Sequence, residues 1–164
     1  MASIPQPERR KLAPDLAAAA IGPGAGADVR EVVEENVRHV LERYRTVGIL
    51  LSGGFDSSVL ACLAQKYARG RVRTFTIGDS EDYPDVRAAR QVARHLGTEH
   101  HEFLVDTPDP GVLVRGIHAY EDLSYRDTLF ILARRMAGLA DVALSGSGAD
   151  LLGNPVLITT PERV

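Results

Sequence analysis

The sequence predicts an α/β fold: a parallel sheet held between helices on both faces, in three layers. Three observations point there. Hydrophobic periodicity switches repeatedly between helical and extended spacing from Asp28 to Leu144, the alternation that builds parallel βαβ units. The first extended segment, Val47-Gly48-Ile49-Leu50-Leu51, is apolar on successive residues, as expected of a strand covered on both sides. Gly97 and Gly138 stand just past two helical patterns, where a left-handed residue closes a helix end.

Each element follows from its local pattern. Residues 1–27 carry Pro5, Pro7, Pro14 and Pro23 with Gly22, Gly24 and Gly26, so they read as a flexible tail. The domain itself is expected over residues 28–164. Asp28 with Glu31 resembles a capping box, and Val29, Val33, Val37, Val40 and Leu41 recur at helical spacing up to about Arg45. The first strand, Val47 to Leu51, is followed by a helix from Ser57 to Tyr67 with Val59, Leu60, Leu63 and Ala64 expected inward. Cys62 is read as a core residue of that helix. Val72 to Ile77 alternates and is rich in β-branched residues, a second strand. Pro84 to Leu96 is a helix, His100 to Val105 a third strand, 111–119 and 126–137 are helices, and Val142 to Leu144 is a fourth strand. Crossovers are expected to be right-handed, and ligands to sit beyond the carboxyl ends of the strands.

Composition narrows the function classes. The chain has 164 residues, 45% hydrophobic and 25% charged, enough for one globular core without disulfides. Nineteen basic against 22 acidic side chains leave a net charge of −3, which argues against a nucleic-acid partner. Cys62 is the single cysteine, so neither an internal disulfide nor a multi-cysteine zinc site is available. No apolar run approaches the roughly 20 residues of a membrane span, and Met1 to Arg10 has no signal core. The expectation is a cytoplasmic protein with no membrane partner.

The chemistry concentrates in Ser52-Gly53-Gly54-Phe55-Asp56-Ser57-Ser58, between the first strand and the next helix. Backbone N–H groups at a helix N-terminus hold phosphate. Gly53 and Gly54 permit close approach, and Ser52, Ser57 and Ser58 offer hydroxyls. Asp56 repels phosphate unless Mg²⁺ lies between them, an ion that takes carboxylate and phosphate oxygens together. The loop has no lysine, so it is not a Walker A motif, nor is it a dinucleotide G-x-G-x-x-G. A second Gly-rich loop, Ser145-Gly146-Ser147-Gly148-Ala149-Asp150, follows the fourth strand. If the two strands are neighbours, Asp56 and Asp150 form a carboxylate pair around the metal; otherwise Asp150 serves as a helix cap. His100 and His101, adjacent on a strand, point to opposite faces and read as ordinary core or surface residues. Arg69, Arg71 and Arg73 read as a solvated turn.

Ser52 to Ser58 resembles the pyrophosphate loop of the N-type ATP pyrophosphatases. Thr74-Phe75-Thr76-Ile77-Gly78, the helix with Ala88, Ala89, Val92 and Ala93, and Leu96-Gly97-Thr98-Glu99-His100-His101 narrow the likeness. Together with the second loop they resemble the synthase domain of asparagine synthetases, over residues 29–153. The resemblance implies an adenine nucleotide alpha-hydrolase-like, Rossmann-like fold. It implies ATP and Mg²⁺ as cofactors, with phosphates on Ser52, Gly53, Gly54, Asp56, Ser57, Ser58, Ser145, Gly146 and Gly148. It sets adenine against Leu50, Leu51 and Ile77, and gives Asp56 and Asp150 the metal and catalytic roles. The implied reaction is amide synthesis: a carboxylic acid, aspartate by default, is adenylated and then attacked by ammonia or an amine.

The chain departs from that family at several places. Ser147 and Leu151 stand where the family's second loop carries glutamates, and Glu121-Asp122-Leu123 only weakly matches an acidic substrate-pocket stretch. Lys11 and Lys66 are the only lysines, so none after the second loop matches the family's catalytic lysine, and Arg163 cannot shuttle protons. Ala2 stands where glutamine-using members expose a cysteine. Two readings therefore stay open: an AMP-forming amide synthetase, or a catalytically incomplete ATP- or pyrophosphate-binding module. The second includes a half-enzyme completed by a protein partner or by another copy. A tRNA-thiolating relative of the same loop class is disfavoured by the lone cysteine and the negative charge.

Overall fold

The computed structural model describes residues 28–70, 72–105, 127–147 and 156–159. The predicted tail over 1–27 and the predicted helix over 111–119 lie outside them, as do Arg71, Glu121 and Asp122. Helix α1 spans Val29–Arg43 and starts at Asp28, whose carboxylate accepts the Arg30 N–H at 3.0 Å. Strand β1 is Val47–Leu50, α2 is Phe55–Tyr67, β2 is Arg73–Gly78 and α3 is Pro84–Leu96. Strand β3 is Glu99–Leu104, α4 is Asp127–Met136, β4 is Val142–Ser145 and β5 is Val156–Thr159. Gly97 closes α3 in the left-handed region at φ 69°, with the Thr98 N–H donating to the Ala93 carbonyl. Gly138, past α4, has φ 79°. Among the described residues no helix is long and apolar enough to cross a membrane.

The strands run in the order β3-β2-β1-β4-β5. The first four are mutually parallel, and β5 pairs antiparallel with β4. The four strands expected from the sequence thus form the parallel sheet it predicts, and β5 adds an antiparallel edge strand not read from the sequence. An antiparallel strand at the edge of an otherwise parallel sheet is common. The two middle strands are tied at their starts. The Thr46 N–H donates to Asp141 Oδ2 at 2.9 Å, and the Asp141 N–H donates to the Thr46 carbonyl at 2.9 Å.

Successive strand residues feed opposite cores, as strand geometry dictates. Ile49, Leu51, Val142 and Leu144 pack with Val37 and Val40 of α1, Leu60, Ala61 and Ala64 of α2, and Ala89 and Ala93 of α3. Leu50, Phe75 and Ala143 face the other way, against Leu132 and Met136 of α4. Helices therefore cover both faces, the three-layer α/β arrangement that the sequence predicts.

Two local expectations change. Cys62 is exposed, because α2 buries Ser57, Leu60, Ala61 and Ala64 and turns Cys62 outward. The unbroken apolar run from Val59 to Ala64 hides which stripe faces in. Arg73 is no solvated turn residue: its guanidinium pairs with Glu99 at 3.2 Å and donates to the Leu139 carbonyl. The register of β2 against β3 sets Arg73 directly beside Glu99.

His100 and His101 do point to opposite faces. His101 stacks on Phe75 at 5.2 Å and lies 3.1 Å from Glu99. His100 sits on the α3 side, its Nδ1 2.9 Å from Thr74 Oγ1 and its Nε2 3.5 Å from Glu102 Oε1. Burial pushes the His100 pKa below the usual 6.5, against the pull of Glu102 and with further lowering from His101 and Arg90. The unfolded chain therefore takes up this proton more readily, so stability falls as pH drops below 6.5 toward the lower folded value. Glu99, Glu102 and Asp141, held below their usual ranges by Arg73, Arg90 and Thr46, lose their contributions only at lower pH. His100→Asn keeps a polar atom near the Nδ1 position but does not titrate. Its melting temperature is expected to fall less than the wild type's between about pH 7 and 5. Parallel slopes in the two proteins rule this assignment out.

Candidate functional site

The chain moves outward from β1 to β2 and β3, then returns to the other side of β1 as β4. In open α/β sheets the crevice at such a reversal, beyond the carboxyl ends of the strands, is where ligands bind. Here both Gly-rich loops leave adjacent strand ends, because β1 and β4 are hydrogen-bonded neighbours. A Cβ built on Gly146 comes within 3.0 Å of Asp56 Cβ and 3.1 Å of the Ser57 nitrogen. The second loop thus rests directly on the first, and a side chain at Gly146 would crowd it.

The first loop leads into a helix start that has no side-chain cap. Gly54 caps α2 without a side-chain hydrogen bond, and the first intrahelical bond runs from the Ser58 N–H to the Gly54 carbonyl at 3.0 Å. The N–H groups of Phe55, Asp56 and Ser57 belong to the first turn, where the helix itself offers no acceptor. The loop holds its own shape: Ser57 Oγ donates to the Gly54 carbonyl at 3.2 Å, and Ser52 Oγ accepts the Gly54 N–H at 3.3 Å. Gly53 has φ 78°, and a Cβ there would lie 2.5 Å from Ala88 Cβ and 2.6 Å from the Ala89 nitrogen. The loop is therefore pressed against α3.

A cavity of about 590 Å³ opens at this point, within the usual range for small-molecule sites. Of the residues singled out in the sequence, Leu50, Leu51, Ser52, Gly54, Asp56, Ser57, Ile77, Ser145 and Gly146 line it. Gly53 and Ser58 do not; Gly53 backs onto α3, and Ser58 lies one residue deeper in α2. Gly148 and Asp150, and with Asp150 the second member of the predicted metal pair, lie outside the described residues. Leu51 reaches the cavity with its backbone already engaged: its N–H donates to the Phe75 carbonyl, and its carbonyl accepts the buried Thr76 hydroxyl. Ser147 also lines the cavity, its Oγ 3.0 Å from Ser145 Oγ.

Tyr83, Asp85 and Leu132 line the cavity too, and no loop motif points to them. The available signal is the helix start Tyr83-Pro84-Asp85, which specifies an N-terminus but not what it faces. Lys66 is remote. It sits in the last turn of α2, 3.6 Å from Glu34 and 4.7 Å from the Tyr67 ring centroid, at the opposite end of that helix from the loop.

The residues suit a Mg²⁺–phosphate complex better than a metal held by protein alone. Among the described residues no three or more His, Cys, Asp or Glu side chains assemble a metal cage. Mg²⁺ characteristically keeps waters and takes one or two carboxylates together with phosphate oxygens. Asp56, on the cavity wall beside the uncapped helix end, fits that donor set.

The family model for asparagine synthase matches residues 28–158. Asparagine synthetase B [glutamine-hydrolyzing] of Escherichia coli (strain K12) is 30% identical over 143 residues, 75% of this chain and 26% of that protein. The glutamine-hydrolyzing asparagine synthetase of Bos taurus is 32% identical over 140 residues, 77% of this chain and 25% of that protein. That of Gallus gallus is 38% identical over 104 residues, 60% of this chain and 17% of that protein. The chain thus spans about a quarter or less of these relatives. Among solved structures, the NH3-dependent NAD synthetase from Campylobacter jejuni aligns with a TM-score of 0.48 at 16% identity, covering 73% of this chain and 56% of that one. With the family model spanning most of its length, this chain belongs to the asparagine synthase family.

Proposed function

We propose that this chain binds Mg·ATP across its two loops and uses it to activate a carboxylic acid for amide formation. The observation that carries the reading is the contact of Gly146 with Asp56 and Ser57 at the uncapped start of α2. It gathers N–H donors, hydroxyls and a carboxylate around one point. In the proposed reaction a carboxylate oxygen attacks the α-phosphorus, and the bond from that phosphorus to the bridging oxygen breaks. Pyrophosphate leaves with that electron pair. Ammonia or an amine then attacks the acyl carbon, AMP departs, and the nitrogen loses a proton to solvent.

The chain's own part in this is positioning and charge. The first-turn N–H groups of α2 and the hydroxyls of Ser52, Ser57 and Ser145 would hold the departing pyrophosphate. Bound Mg²⁺, held by Asp56 and in this reading Asp150, would neutralise charge on it. Adenine would lie at the ends of β1 and β2, against Leu50, Leu51 and Ile77. Aspartate is the proposed acid, and a second copy or another protein would complete the site.

A second reading rests on the position of Lys66 at the far end of α2, which leaves no lysine at the cavity among the described residues. With Ser147 and Leu151 in place of family glutamates, the chain would be a nucleotide-binding module or one subunit of a heteromeric synthetase. Incubation with Mg·ATP, aspartate and ammonia, with products separated by chromatography, decides between them. Aspartate-dependent AMP together with asparagine is the result expected of the synthetase. ATP that binds but stays intact is the result expected of the module.

A further inference from the structure

We propose that the first turn of α3 reads the nucleoside, with Asp85 accepting hydrogen bonds from the ribose hydroxyls and Tyr83 forming the wall beside it. The inference rests on the nucleotide-binding reading above and assigns residues that the two loops do not contain. The cavity has two chemically different ends. At the start of α2 it offers donors, which suit phosphates. Near the end of β2 it is lined by Ile77, Tyr83 and Asp85.

Packing fixes that second end against the first. Gly53 of the phosphate loop abuts Ala88 and the Ala89 backbone at separations only glycine allows. Asp85 precedes these residues by three and four positions, so it shares their side of the helix one turn, about 5.4 Å, nearer the N-terminus. Gly78, the last residue of β2, is closed over by the same turn. A Cβ there would lie 2.5 Å from Val86 Cγ2 and 3.3 Å from Tyr83 Cβ. Neither residue is thus placed by a mobile loop.

The chemistry of Asp85 selects its partner. Among the described residues no side-chain hydrogen bond or ion pair holds its carboxylate. An ionised carboxylate only accepts hydrogen bonds, so phosphates repel it and a donor is required. A nucleotide running from the α2 end presents its ribose next, with two adjacent hydroxyls to match two carboxylate oxygens. In dinucleotide-binding sheets an acidic residue likewise accepts hydrogen bonds from the ribose. The competing role is that of a first-turn acid favoured by the dipole of α3, which involves no ligand.

The test measures binding of Mg²⁺ complexes of ATP, 2′-deoxy-ATP and 3′-deoxy-ATP by calorimetry. The wild type is expected to prefer ATP over each deoxy analogue by about tenfold or more, the scale of a charge-assisted hydrogen bond. Asp85→Ala should lose about tenfold more affinity for ATP than for either analogue, since each analogue keeps one of the two hydroxyls, bringing all three within about twofold. Asp85→Asn, which keeps one acceptor, should fall between. Equal affinities in the wild type, or undiminished preference in Asp85→Ala, overturn the assignment and leave the nucleotide site standing. An equal loss for all three nucleotides also overturns it, as an effect on the site in general. A wild type that binds none of them overturns this assignment and the nucleotide reading together.

Discussion

Gly53→Ala is expected to lower unfolding stability by about 2–5 kcal/mol and to abolish nucleotide binding. Two penalties add at this position. Its φ of 78° lies in the left-handed region, which costs a residue with a Cβ about 1–2 kcal/mol. The new methyl would also sit 2.5 Å from Ala88 Cβ and 2.6 Å from backbone atoms of α3. Backbone cannot rotate away as a flexible side chain can, so either the loop or the helix must shift. Gly54 is the internal control. A Cβ there meets only Ser52 Oγ, at 3.4 Å, and its φ is an ordinary −70°. Gly54→Ala should therefore cost only the modest preference of a helix cap for glycine over alanine, about 1 kcal/mol or less. Denaturant unfolding of both variants, with nucleotide affinity measured beside it, checks the pair. Equal losses of stability in the two would mean that the loop does not press on α3.

Asp56→Ala is expected to remove the Mg²⁺ dependence of ATP binding while leaving the fold intact. Asp56 is exposed, in the first turn of α2, so its removal costs about 0.3–1 kcal/mol of helix-dipole stabilisation. Its effect on binding has a definite sign. Without metal, a carboxylate beside phosphates repels them, so metal-free ATP should bind the variant as well as the wild type or better. With Mg²⁺ the wild type gains a ligand to the ion, and the variant does not. The wild type's gain on adding Mg²⁺ is expected to be about 100-fold, below the upper limit of roughly 4 kcal/mol for one close charge pair near a surface. The variant's gain should be near zero. A variant that keeps the full increment would remove Asp56 from the metal site.

Much of the site was legible because its chemistry is local. Ser52 to Ser58 declares a strand-to-helix turn with donors and a carboxylate, and the structure sets it at the end of β1 as α2 begins. Gly97 and Pro84 mark the ends of α3 to the residue. Cys62 was misread because a six-residue apolar run carries no phase, and only packing on α1 and β1 decides which stripe of α2 turns inward. Arg73 was misread because its partner Glu99 stands on another strand and becomes a neighbour only through the sheet register.

The sequence by itself determined the kinds of element, their order, the character of both loops and the family they belong to, since these depend on side-chain type and short-range spacing. Tertiary structure decided what those parts make together. It set β4 beside β1, although Thr46 and Asp141 at their starts are 95 residues apart. It laid Gly146 on Asp56, kept Lys66 away from the cavity, brought the first turn of α3 to the cavity wall, and added β5 at the sheet edge. The physical reason is that strand neighbours and helix seating minimise the free energy of the whole packed core. Local periodicity reports which face of each element is apolar, but not which other element covers it.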